Sequence, residues 1–100
     1  MKIKELIAPL EQWASRSLQE DYDNSGLQVG SWDDEVSSAL ICLDCTEAVV
    51  EEAAKHGCGI IISHHPVIFR GLKSLSGNGP VERTLLAAIR HSIALYAIHT

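Results

Sequence analysis

Apolar residues recur at three- and four-residue spacings from Ile3 through Leu6, Ile7, Leu10, Trp13 and Ala14 to Leu18, the stripe of an amphipathic helix over 3–18. Pro9 falls inside it and predicts a kink or a late helix start. Residues 21–32 hold Gly26 and Gly30 among turn-forming polar residues and read as a structured loop. From Val36 the pattern changes. Ala39-Leu40-Ile41-Cys42-Leu43 is continuously apolar and predicts a strand over 37–44. Thr46 stands where an N-cap belongs, acids follow it and Lys55-His56 come last, so a helix is expected over 46–56, closed by Gly57. Cys58 to Ile62 contains no polar residue and predicts a strand, near 58–63, covered on both faces.

Residues 66–80, with Pro66, Gly71, Gly77, Gly79 and Pro80, read mostly as loop. Val81, Leu85, Leu86, Ala88 and Ile89 space a helix over 81–91, and Ser92 to Ile98 forms the core of a last strand near 93–99. Alternating strands and helices imply an α/β fold, a parallel-stranded sheet flanked by helices, in a single domain over 1–100. The chain stops at His99-Thr100, at the carboxyl end of a strand, where the functional residues of such sheets gather. The expectation is therefore an N-terminal fragment of a longer domain, with the outer edge of the last strand left without a partner.

A net charge of −5 over 100 residues, with no Lys/Arg run, argues against nucleic acid as a partner. Apolar runs fall short of the about 20 residues of a membrane-spanning helix, and the acid at Glu5 is foreign to a signal peptide. The three cysteines, 42, 45 and 58, are an odd number and argue against a disulfide framework. A cytoplasmic, soluble protein is the expectation.

The strongest local chemistry is Ser63-His64-His65-Pro66, two imidazoles at the mouth of an isoleucine strand. Imidazole is the commonest neutral metal ligand. Neighbours on extended backbone point apart, which suits two adjacent metals, or one metal and a substrate contact, better than a single chelated ion. The bland alternative is a partly exposed histidine pair at a strand end. Asp44 closes the preceding strand at the same edge of the sheet. It is open to three roles: ligand, acceptor for an imidazole N–H, or an acid belonging to the cap of the next helix. His99 would reach this edge too, or stand exposed at the C-terminus. Cys42 and Cys45 have C-x-x-C spacing but lack a second pair and lie in or beside an apolar strand, so all three cysteines read as small buried hydrophobes. His56 and His91 fit helix C-termini, where complementing the dipole suffices.

Four stretches carry a resemblance: Tyr22-Asp23-Asn24-Ser25-Gly26-Leu27-Gln28-Val29-Gly30, Leu43-Asp44-Cys45-Thr46-Glu47-Ala48-Val49, Ile61-Ile62-Ser63-His64-His65-Pro66-Val67-Ile68-Phe69 and Ala97-Ile98-His99-Thr100. In this order they resemble the motifs of the NIF-three-like dinuclear metal-centre family, many of whose members carry the name GTP cyclohydrolase I type 2 homologue. The resemblance implies the N-terminal part of that α/β fold, a centre of two divalent ions (Zn, Mn or Fe), and assembly into homohexamers. It makes His64 and His65 metal ligands. The family's aspartate, histidine and glutamate ligands would all lie beyond Thr100, which leaves this stretch a weak site by itself. His99 is not carried over as a ligand, Asn24 and Asp44 occupy motif positions without a role, and no catalytic residue is assigned. The implied function is divalent-metal binding. It takes one of two forms: a dinuclear hydrolase acting on a nucleotide-like small molecule, or a non-catalytic metal-binding or partner-binding protein.

Overall fold

The computed structural model describes residues 1–13, 25–68, 71–72 and 74–98. Seven elements follow in order: α1 (Ile3–Trp13), β1 (Gly26–Val29), β2 (Ala39–Cys42), α2 (Glu47–Lys55), β3 (Ile60–Ser63), α3 (Pro80–Arg90) and β4 (Ala94–Ala97). The strands form one sheet in the order β1-β4-β3-β2. β2, β3 and β4 run parallel, joined through α2 and α3, with Ile61 opposite Leu40 on one side and Leu95 on the other. The expected α/β architecture and its parallel core are thus present.

β1 makes the sheet mixed. It pairs antiparallel with β4, Gly26 opposite Ala97, with a register shift between Leu27 and Val29. This strand lies inside the stretch read as loop, because four residues that open with Gly26 and are followed by Gly30 offer too short an alternation to register. β1 also overturns the expectation of an unpartnered last strand. β4 is internal, and among the described residues the sheet's edges are β1 and β2, the burial of β2 alternating between exposed and half-buried. Its Ile41 is 79% exposed, although its sequence reads as fully apolar.

Alternation along the strands divides the core into two layers. Ile60, Ile62, Ala94 and Tyr96 meet Ile3 and Ile7 of α1 on one face. Ile61 and Leu95 meet Val50 and Ala53 of α2 and Leu85 and Ala88 of α3 on the other. The all-apolar β3 is accordingly buried on both faces, as its composition predicts. α1 begins at Ile3 and continues through Pro9, so the late start does not occur. Proline removes one helical hydrogen bond, and the buried pair Ile3 and Ile7 anchors the helix before it. Residues 14–18 of the expected helix lie outside the described residues.

Both helices of the second layer end in the same turn. After α2, Gly57 takes φ +71 and Cys58 N–H donates to Ala53 O at 2.9 Å. After α3, Ser92 takes φ +56 and Ile93 N–H donates to Ala88 O at 2.8 Å. This is the Schellman arrangement, with glycine in one case and serine in the other. No described helix is long and apolar enough to cross a membrane.

Candidate metal centre

His64 and His65 follow β3 directly, at the carboxyl end of a central parallel strand. Their N–H groups donate to Cys42 O (3.2 Å) and Leu43 O (3.1 Å), so the backbone keeps following β2 for two residues past the strand. It is nevertheless bent there. The buried Ser63 hydroxyl donates to His65 O at 2.7 Å and holds that bend. As a result the rings converge. Their centroids stand 4.6 Å apart with the planes inclined at 59°, which corrects the expectation that the two side chains point apart. That expectation assumed extended backbone through both residues.

Asp44 lies at the same sheet edge, just past β2. Its Oδ1 is 2.6 Å from His65 Nδ1. Thr46 is the N-cap of α2, as expected, and its Oγ1 accepts from Val49 N–H at 3.3 Å, so Asp44, two residues before it, makes its side-chain contact with His65 instead. His56 and His91 are the C-cap residues of α2 and α3, as expected, and they pair with Glu52 (2.9 Å) and Glu51 (3.2 Å). His99 and Asn24 lie outside the described residues.

The cysteines are free thiols. Burial pushes the Cys45 thiol up to about 12, with a contribution from Cys42 beside it. Burial and the Asp44 charge raise Cys42 as well. In the metal-free protein both therefore stay thiols at neutral pH, which disfavours a role as a reactive thiolate.

His64 lines one end of an apolar cleft of about 380 Å³, with Leu6, Leu10, Ile41, Ile62 and Ile98 along its walls. A larger cleft, about 510 Å³, lies at the opposite ends of the strands around Gly30, Gly59 and Ala94 and shares no residue with the histidine pair. The larger cleft is lined by no imidazole or thiol. For a metal ion the pair fits as the nitrogen half of a site, with two exposed imidazoles close together on a rigid strand end. Among the described residues no group of three or more His, Cys, Asp or Glu side chains gathers around an ion position. Sequence reasoning singled out His64, His65 and Asp44, which the structure brings together, but not the contact made by Ser63. Its signal was a lone hydroxyl closing an otherwise apolar isoleucine run.

Comparison with known proteins gives a consistent result. The chain is 45% identical over all its 100 residues to the GTP cyclohydrolase 1 type 2 homolog of Staphylococcus aureus, spanning 27% of that protein. It is 36% identical to the protein of the same name from Clostridium perfringens, spanning 38% of it. The crystal structure of Staphylococcus aureus protein SA1388 superimposes with a TM-score of 0.92 at 44% identity, over 99% of this chain and 28% of that one. The chain thus spans well under half the length of these relatives. The family model Duf34/NIF3 (NGG1p interacting factor 3) matches residues 1–100. From its first residue to its last, this chain belongs to the Duf34/NIF3 family.

Proposed function

We propose that His64 and His65 each bind one ion of a two-ion divalent metal centre, with zinc, manganese or iron as the metal, and that this centre hydrolyses a nucleotide-like substrate. The observation that carries the reading is the convergence of two imidazoles, 4.6 Å between ring centroids, at the carboxyl end of a central parallel strand. A His nitrogen binds zinc at about 2.0–2.1 Å and paired catalytic ions stand about 3.5–4 Å apart. Rings at this spacing reach either one shared ion or two neighbouring ions, and the resemblance to a dinuclear family favours one ion each. The bound ions would supply a hydroxide at neutral pH and positive charge for the developing anion. The chain's own part is to hold two neutral donors on rigid backbone, tied to β2 through the N–H groups of both histidines and braced by Ser63. The reading requires carboxylate ligands from outside the described residues. The names of the relatives point to GTP as the first substrate to try, and homohexameric assembly goes with the same reading.

Metal analysis of protein purified without chelators tests it, with His64→Ala and His65→Ala beside the unaltered chain. Each substitution is expected to remove or strongly weaken one ion, and full retention of both ions in either variant would refute the assignment. Incubating the loaded protein with GTP and following ring opening by mass spectrometry separates the two functional forms. Turnover that disappears in both variants supports the hydrolase, and metal binding without turnover of nucleotides supports the non-catalytic role.

A further inference from the structure

We infer that Asp44 is a positioning residue that locks His65 in its Nδ1–H form and so aims the Nε2 lone pair outward for an ion. This inference rests on the reading of His65 as a ligand.

An ionised carboxylate only accepts hydrogen bonds, so an Oδ1 standing 2.6 Å from Nδ1 requires the proton to be on Nδ1. Neutral histidine in water favours the other form, with hydrogen on Nε2. Asp44 therefore reverses the ordinary preference and leaves Nε2 as the one unprotonated nitrogen of the neutral ring. A carboxylate behind a ligating imidazole also raises its basicity and fixes its plane.

Two other roles for Asp44 fit less well. The N-cap of α2 is Thr46, so the helix does not need Asp44. A ligand role would place the shared ion at Nδ1, and while that nitrogen carries the proton that Asp44 accepts it has no lone pair to give. What places Asp44 is the backbone. His65 N–H donates to Leu43 O at 3.1 Å, which sets the residue after Leu43 beside the ring it must reach. Asp44 and His65 are both largely exposed, with side-chain exposures of 63% and 49%. The pair thus contributes little to the core, and its value lies in orientation.

The test has two readouts. The first is the ring nitrogen spectrum of His65 in metal-free, ¹⁵N-labelled protein, at a pH where imidazole is neutral. The unaltered protein should show the Nδ1–H pattern at His65, Asp44→Ala should revert to Nε2–H, and Asp44→Asn, which keeps an acceptor oxygen, should fall between them. The second readout is manganese or zinc affinity by calorimetry. Asp44→Ala should weaken binding about 10–100-fold, with Asp44→Asn recovering part of the loss.

A His65 that is Nε2–H in the unaltered protein overturns the inference. So does an Asp44→Ala variant whose affinity is unchanged while His65→Ala loses an ion. If His65→Ala itself keeps both ions, the ligand reading falls instead, so the two failures are separable.

Discussion

Replacing Gly30 with alanine tests how β1 is held against the sheet. Gly30 follows β1 with φ +116, backbone that side chains rarely adopt, and a Cβ built there stands 2.8 Å from the Cβ of Ala94. Ala94 cannot yield. It has no rotamer to change, it is 4% exposed, and its N–H is bound to Gly59 O at 2.9 Å at the start of β4. Backbone strain of about 1–3 kcal/mol and overpacking of about 1–3 kcal/mol then combine. The expected loss is about 2–6 kcal/mol, a large part of the about 5–15 kcal/mol that holds an ordinary domain together. Gly57 supplies the control. Its φ is +71 and nothing lies within 4 Å of its built Cβ, so Gly57→Ala should lose only the left-handed strain, about 1–2 kcal/mol. Urea unfolding followed by far-ultraviolet circular dichroism measures both. Adding Ala94→Gly to Gly30→Ala removes the overlap but not the strain, and the coupling from the full double-mutant cycle should be about 1–3 kcal/mol. If Gly30→Ala proves no more costly than Gly57→Ala, or the cycle shows no coupling, the overlap argument is wrong.

Other consequences are open to direct measurement. Ser92→Gly, at the serine with φ +56, should raise stability by up to about 1 kcal/mol, read as a higher urea midpoint. Ser63→Ala removes the 2.7 Å bond to His65 O and should cost about 1 kcal/mol, with the ring signals of His64 and His65 shifting together in proton spectra. Cys45 should make the protein alkali-sensitive. Its thiol titrates near 9 when unfolded but near 12 when folded, so between those values the unfolded chain alone loses the proton and stability falls as pH rises. Below pH 9 Cys45 should add no pH dependence. Cys45→Ala should flatten the decline in unfolding midpoint above pH 9, and an unchanged slope would refute the assignment.

Elements with an unmixed apolar run or a local capping signal were legible in the sequence. Ile60-Ile61-Ile62 announced a doubly covered strand, and Thr46 and Gly57 marked both ends of α2 because capping chemistry is local. β1 was not legible, since its four residues gain their definition from Ala94–Ala97 far along the chain. Exposure of Ile41 was hidden for a related reason. Composition shows that a residue is apolar, while its position at a sheet edge depends on strand order. Within the site, His64, His65 and Asp44 could be named from their places at strand ends. The convergence of the rings could not, because it depends on the bend past β3 that the Ser63 hydroxyl closes. The choice among roles for Asp44 likewise waited on a distance.

On a ribosome the strand order sets a timetable. β2, α2 and β3 are consecutive and can dock once Ser63 has emerged. β4, which lies between β3 and β1, is synthesised last of the four strands. At about 5–20 residues per second the wait is a few seconds, during which the apolar flank of β3 has no neighbour and β1 has nothing to pair with. A partner chain or a chaperone can engage that flank in the meantime. Ile3 and Ile7, although synthesised before any of the four strands, share this delay, since they pack in the layer that Ala94 and Tyr96 complete. α1 is therefore among the last of these elements to find its place.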